Sequence, residues 1–193
     1  MIITNEFNVD KTIDKVWAFF DDVPAVARCL PGANLDEELG DDQYKGTVGI
    51  RMGPVKMEFA GLVKIVERDD AGKRLVIDGE GSDSRGRGQA KMLVTAKLAQ
   101  TATGTKVTMD QDIQLSGAAA QYGRGMIADV SSVLMGQFAN NMQATIEAIE
   151  RGESPAAVGG APAGAFGIAM KAMWMALSRV ARRFFMPYSP AAN

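Results

Sequence analysis

The sequence predicts an α+β fold, a curved antiparallel sheet wrapped around a long C-terminal helix, followed by a flexible amphipathic tail. Three observations carry this. A period of two runs through most of residues 33–115, broken at regular intervals by turn residues. A period of three to four runs through residues 118–150. Residues 154–165 (SPAAVGGAPAGA) are uncharged and rich in Pro, Gly and Ala, which is a linker composition. The expected organisation is a ligand-binding domain over residues 1–152, a linker over 153–165 and a basic tail over 166–193.

The elements follow in order. Residues 2–9 alternate and read as a strand. Residues 12–20 read as a short helix with Ile13, Val16, Trp17 and Phe20 on one side, which Asp10 or Thr12 could cap. Residues 23–30 make a second short helix, closed by Pro31-Gly32. Strands follow over 33–39, 43–52, 55–65, 73–80, 86–99 and 105–115, with turns at Gly53-Pro54, at Asp69 to Gly72 and at Thr103-Gly104. The last strand alternates most cleanly, with Val107, Met109, Ile113 and Leu115 against Lys106, Thr108, Asp110 and Asp112. Hairpins with one wet face argue an antiparallel meander. In the long helix, Met126, Ile127, Val130, Leu134, Phe138, Met142, Ile146 and Ile149 form a stripe wide enough to cover a sheet face.

Composition excludes several chemistries. The 193 residues contain no histidine, which removes Ser-His and Cys-His nucleophile activation and His-based zinc sites. Carboxylates and lysines remain, so catalysis is disfavoured rather than excluded. Cys29 is alone, so no internal disulfide framework exists, which suits a reducing cytoplasm. The first residues alternate instead of pairing a basic region with an apolar run, so a secretory signal is not expected. The net charge is −2, yet the chain after Glu153 holds Lys171, Arg179, Arg182 and Arg183 and no acid, which leaves −6 on the first 153 residues. An acidic body of this kind does not predict nucleic-acid binding.

The sheet face turned toward the helix carries small residues, namely Gly46, Gly61, Gly79, Ala90 and Ala96. The helix carries Met126, Met135 and Met142. Small residues on a concave face leave volume, and methionine adapts to ligands of irregular shape. The candidate ligand-binding residues are therefore Met52, Met57, Phe59, Met92, Val94, Met109 and Gln111 on the sheet. The helix and its approach add Tyr122, Met126, Ile127, Val130, Leu134 and Phe138. The same residues also fit an ordinary core, because strand glycines mark bulges and curvature and methionines fill gaps. Gln111, between Met109 and Ile113, could orient a ligand carbonyl, or it could be satisfied by backbone or at a sheet edge.

Other clusters carry less. Asp36-Glu37-Glu38, Asp41-Asp42 and Asp69-Asp70 lack the spacing of a calcium loop and read as solvated turns. Gly86-Arg87-Gly88 precedes no helix and is not a phosphate loop. Arg85 and Arg87 could meet an acidic partner, though a solvated strand end is the simpler reading. Cys29 is expected to be a small buried residue. No catalytic residue and no metal site is assigned.

The chain order, Cys29-Leu30-Pro31-Gly32-Ala33 after a Trp-containing first helix, the Gly53-Pro54 turn and Gly86-Arg87-Gly88 together resemble the CoxG family, the G subunit of carbon monoxide dehydrogenase, over about residues 1–150. That family belongs to the START-like, or SRPBCC, superfamily, whose helix-grip fold encloses a deep hydrophobic cavity. The resemblance implies a non-enzymatic protein that serves a molybdenum-containing hydroxylase such as CO dehydrogenase. It implies a respiratory quinone (menaquinone or ubiquinone) or another isoprenoid lipid as cargo, shuttled between membrane and enzyme for electron transport. The alternative it leaves open is a recruitment or assembly factor that anchors the enzyme to the membrane without transport. Cyclases and hydrolases share the fold, so the superfamily does not settle function.

The tail reads from spacing and charge. On a helix, Phe166, Met170, Met173, Trp174, Leu177, Val180, Ala181 and Phe184 form one stripe, with Lys171, Arg179, Arg182 and Arg183 mostly opposite and Phe185 beside it. A basic amphipathic helix with these aromatics reads as lying on a membrane. Attraction to anionic lipid adds about 1 kcal/mol per basic residue, so apolar insertion must supply most of a stable attachment. Spanning would need ~20 continuous apolar residues, which Lys171 and Arg179 interrupt. Docking on a partner protein, or folding back over the cavity mouth, remain open. The expected location is cytoplasmic, peripheral on the inner face of the membrane.

Overall fold

The structure is a computed structural model that describes residues 1–52 and 55–153, Met52 by its backbone alone. The order is β1 (Ile2–Val9), α1 (Ile13–Phe19), α2 (Val23–Cys29), β2 (Ala33–Gly40), β3 (Gln43–Met52), β4 (Val55–Asp69), β5 (Arg74–Asp83), β6 (Gln89–Gln100), β7 (Thr105–Leu115), a 3₁₀ turn (Gly117–Gln121) and α3 (Arg124–Glu150). The strands form one antiparallel sheet in the order β1-β7-β6-β5-β4-β3-β2. Consecutive hairpins build the meander from β2 to β7, and β1 closes it by pairing with the last strand.

The α+β expectation holds, with shifts at element ends. The 118–150 helix divides into the 3₁₀ turn and α3, because Tyr122 and Gly123 adopt extended backbone between them. Gly86-Arg87-Gly88 lies in the turn before β6 and not inside that strand. Thr12 is the residue at which α1 starts, but its side chain makes no capping bond. Asp22 does cap α2, accepting from Ala25 N at 2.9 Å, with Pro24 in the first turn.

The alternation places Ile3, Phe7, Leu75, Val94, Val107 and Met109 on the face that meets the helices. The main core lies between that face, α1, α2 and the C-terminal half of α3, where Phe138, Met142 and Ile146 are buried. Phe7 meets Phe138 edge-on, ring centroids 6.0 Å apart. Trp17 of α1 locks onto the β4–β5 turn: its Nε1 donates to Asp70 at 2.7 Å, and Arg68 lies over the ring at 4.8 Å. Asp69 accepts from Gly72 N and closes the same turn, so this acidic pair has structural work. A second, smaller cluster forms at the other end around Met57, Phe59 and Ala119, with Ile50, Tyr122 and Val130 against it.

Of the two readings of the inward glycines, Gly46 and Gly61 follow the one in which they serve curvature, while Gly79 faces the Met92 side chain. Gly46 pairs with Gly61, and Gly61 with Gly81, in one row across three strands. A Cβ on Gly61 would overlap the Glu80 carbonyl and Gly81 Cα, and one on Gly46 would press on the Asn34 carbonyl. Backbone occupies those positions, so these glycines serve close strand approach and sheet curvature.

Candidate functional site

Between the two core clusters the helix and sheet part. An open cleft of about 430 Å³ lies there, lined by Pro31, Gly32, Gly49, Ile50 and Arg51 on one wall and Asp129, Val130, Val133 and Leu134 on the other. That volume is within the range of ~300–1,000 Å³ common for small-molecule sites.

Its rim is held by backbone chemistry. Ala33 N donates to the Leu30 carbonyl at 3.1 Å, with Pro31 and then Gly32 at φ +80° between them. Pro followed by a left-handed Gly is the requirement of a type II turn. Gly49 N donates to the Gly32 carbonyl at 2.8 Å, which ties the turn to β3. A Cβ on Gly32 would overlap the Gly49 carbonyl, so the close approach also needs glycine. From the other side, Asn141 Nδ2 donates to the Cys29 carbonyl at 2.9 Å and ties the end of α2 to α3. Cys29 itself is buried beside Thr145, and that burial pushes its thiol up, away from reactivity.

A buried carboxylate lies across the β4–β5 pair from Phe59 of the small cluster. Asp83 accepts from Arg87 Nε and a terminal guanidinium nitrogen, both at 2.8 Å, and from the backbone N–H groups of Glu58, Arg85 and Arg87. Arg87 also donates to the Lys56 carbonyl at 2.8 Å. The Arg87 guanidinium, with the backbone donors behind it, holds the Asp83 carboxyl well below the usual carboxylate range. Arg87 is therefore not a free cation for an acidic partner; it joins the β5–β6 turn to β4. Arg85 is exposed.

The sequence-predicted ligand residues do not converge on one site. Val130 and Leu134 line the cleft, while Met57, Phe59 and Tyr122 belong to the small cluster. Met92 is partly buried against the main core, which also contains Val94, Met109 and Phe138; Ile127 is buried. Met126 is 45% exposed, because one helical step of ~100° separates it from inward Ile127. The Met52 side chain and every tail residue from Phe166 to Phe185 lie outside the described residues, as does the 154–165 linker. Ile50 and Val133 line the cleft without having been predicted to. Ile50 was legible as inward by parity; Val133 is 60% exposed and carries no sequence signal for a cleft wall.

Gln111 is inward on β7, paired with Ile3 and Val94, and is not among the cleft-lining residues. It is 7% exposed, and its Oε1 accepts from Ser131 Oγ at 3.2 Å; Ser131 Oγ accepts from Asn5 Nδ2 at 2.8 Å. No carboxylate is among the cleft-lining residues except Asp129, which is exposed.

A family model described as the G subunit of carbon monoxide dehydrogenase (CoxG) matches residues 6–147. The chain belongs to that family. No curated protein matches it. Among solved structures, the CoxG chain is similar to a conserved protein from Geobacillus kaustophilus at 20% identity and a TM-score of 0.68, covering 76% of this chain and 95% of that one. It is similar to the ZhuI aromatase/cyclase from a Streptomyces species at 14% identity and a TM-score of 0.55, covering 77% and 94%. A protein from Thermus thermophilus matches at 11% identity and a TM-score of 0.55, covering 75% and 98%. These likenesses establish the helix-grip, START-like fold of the CoxG chain. Among the described residues, no helix is long and apolar enough to cross a membrane.

Proposed function

We propose that this CoxG protein is a carrier, not a catalyst: it binds an apolar small molecule between sheet and α3, and serves a molybdenum-containing CO dehydrogenase. The observation that carries the reading is the cleft itself, whose nine lining residues include the apolar Ile50, Val130, Val133 and Leu134. The cargo class is an isoprenoid lipid, with a respiratory quinone such as menaquinone or ubiquinone the leading candidate. A soluble oxidase cannot reach a quinone pool dissolved in the bilayer, and a carrier with an apolar cleft can. The composition of residues 166–185, which combines Trp174 and Phe184 with Arg179, Arg182 and Arg183, favours contact with an anionic membrane surface.

Organic extraction and native mass spectrometry of the purified full chain test this. A bound isoprenoid, or saturable uptake of a quinone on titration, is the expected result. A protein that purifies empty and takes up no quinone overturns the carrier reading. Vesicle sedimentation of the full chain against a chain lacking 154–193 tests the membrane part: loss of binding on deletion is expected.

A further inference from the structure

Two of the cleft-lining residues are charged: Arg51 on the β3 wall and Asp129 on the α3 wall. Each wall thus carries one charge, and the signs are opposite. The other side chains on the lining are apolar or, at the glycines, absent. Alternation puts Arg51 and its neighbour Ile50 on opposite faces of β3. Both still reach the cleft, because the pairing of β2 with β3 ends at Ala33 and Val48 and leaves the last residues of β3 as a free edge among the described residues. On α3, Asp129 lies one turn before Val133 and so shares its side of the helix. Both charged residues are exposed. Among the described residues neither forms an ion pair, whereas Arg68, Arg74, Arg87 and Glu150 all do. A guanidinium only donates hydrogen bonds and a carboxylate only accepts them. The two walls therefore make opposite demands on anything held between them.

We propose that Arg51 and Asp129 together select the polar head of the cleft's ligand, and that this head is uncharged and hydroxylated on an otherwise apolar body. The inference rests on the reading that the cleft holds an apolar ligand, and it narrows the chemistry of that ligand. A carboxylate head suits Arg51 and is repelled by Asp129; a cationic head meets the reverse. A quinone brings acceptors only, so it satisfies Arg51 and has no proton for Asp129. A dihydroxy arene accepts from Arg51 through one oxygen and donates to Asp129 through the other, since a hydroxyl does both. The pair therefore favours the reduced dihydroxy form of a cargo over its quinone.

The test uses the full chain and three probes in anaerobic calorimetric titration: a naphthoquinone with a short isoprenoid chain, the same compound reduced to its dihydroxy form, and its oxygen-free hydrocarbon counterpart. Wild type should bind the dihydroxy form about fivefold more tightly than the quinone, the scale of one charge-assisted hydrogen bond shared with water. Asp129→Asn exchanges a pure acceptor for an amide that also donates to a quinone oxygen, and should abolish or invert that preference. Arg51→Met should weaken both oxygenated probes to a similar degree and leave the hydrocarbon unchanged. Both residues are exposed, so both variants should melt as wild type does. Wild type that binds the dihydroxy form no better than the quinone, or Asp129→Asn that keeps the wild-type preference, overturns the selection while the carrier reading stands. Arg51→Met that weakens the hydrocarbon as much as the other probes also overturns it. Binding of none of the three by wild type overturns both readings. A variant that melts lower and loses all three probes equally shows its residue to be structural, which again overturns the selection.

Discussion

The two halves of α3 share one helical stripe and meet different surroundings. In the C-terminal half, Phe138, Met142 and Ile146 are buried against α1, α2 and the sheet. In the N-terminal half, Val130 and Leu134 border an open cleft and Val133 is 60% exposed. Nothing in residue type separates the halves; what differs is that α1 and α2 cover only one of them. One half is core, and the other borders an open cleft. Stability and binding should therefore divide along the helix.

The largest effect expected in breaking that contrast is at Met142, which has no exposed surface. Met142→Ala should cost about 3 kcal/mol in denaturant unfolding, as large-to-small core changes do. Val133→Ala should stay within about 0.5 kcal/mol. Equal losses at both positions would erase the distinction.

Next is the converse experiment. Leu134→Trp adds bulk where the helix borders free volume. It should lower quinone affinity at least about tenfold, because filling a pocket displaces its ligand, and leave the unfolding midpoint close to wild type. A variant that unfolds readily would show that this half is as tightly packed as the other.

Smaller, and sharper in its pH dependence, is the pairing that fastens each end. Glu150 at the end of α3 accepts from Lys11 and Lys15, both at 2.6 Å, and these bonds lower its carboxyl to about 2. Asp83, paired with Phe59 across β4 and β5, is held below the usual range by Arg87. Both folded-state values are depressed, so their stabilisation is complete above the unfolded carboxylate value near ~4 and is lost as pH falls through the folded values. Melting temperature should drop as pH falls from about 4.5 toward 2. Glu150→Gln should flatten part of that drop and leave ligand binding intact. Asp83→Asn should flatten another part and also weaken ligand binding, because it frees the β5–β6 turn beneath the small cluster. A pH profile unchanged in both variants would show the ion pairs to be inert.

Most of the fold was legible because its signals are local. Alternation at Val107, Met109, Ile113 and Leu115 assigns β7 its inward face, and the Pro31-Gly32 pair marks the turn that later forms the rim. Other features were not local. Asp83 and Arg87 are four residues apart, but the Lys56 carbonyl and Glu58 N–H that complete their site come from another strand. The glycines of β3 and β4 were legible as small and inward, yet only the neighbouring Asn34 and Glu80 carbonyls reveal that backbone fills their space. Gln111 was visible as a polar residue on an apolar face. That its carbonyl is taken and its amide is not depends on Ser131 and Asn5, 20 and 106 positions away in the chain.

By itself, the sequence determined the order of elements, the inward face of most strands, most of the apolar stripe of α3, the lack of histidine chemistry and the charge of the tail. Each depends on residue type and spacing along the chain, which sequence records directly. The tertiary structure alone decided where the stripe becomes core and where it becomes cleft. That choice depends on which helix face α1 and α2 reach, and on whether buried polar groups such as Gln111 find partners across the sheet.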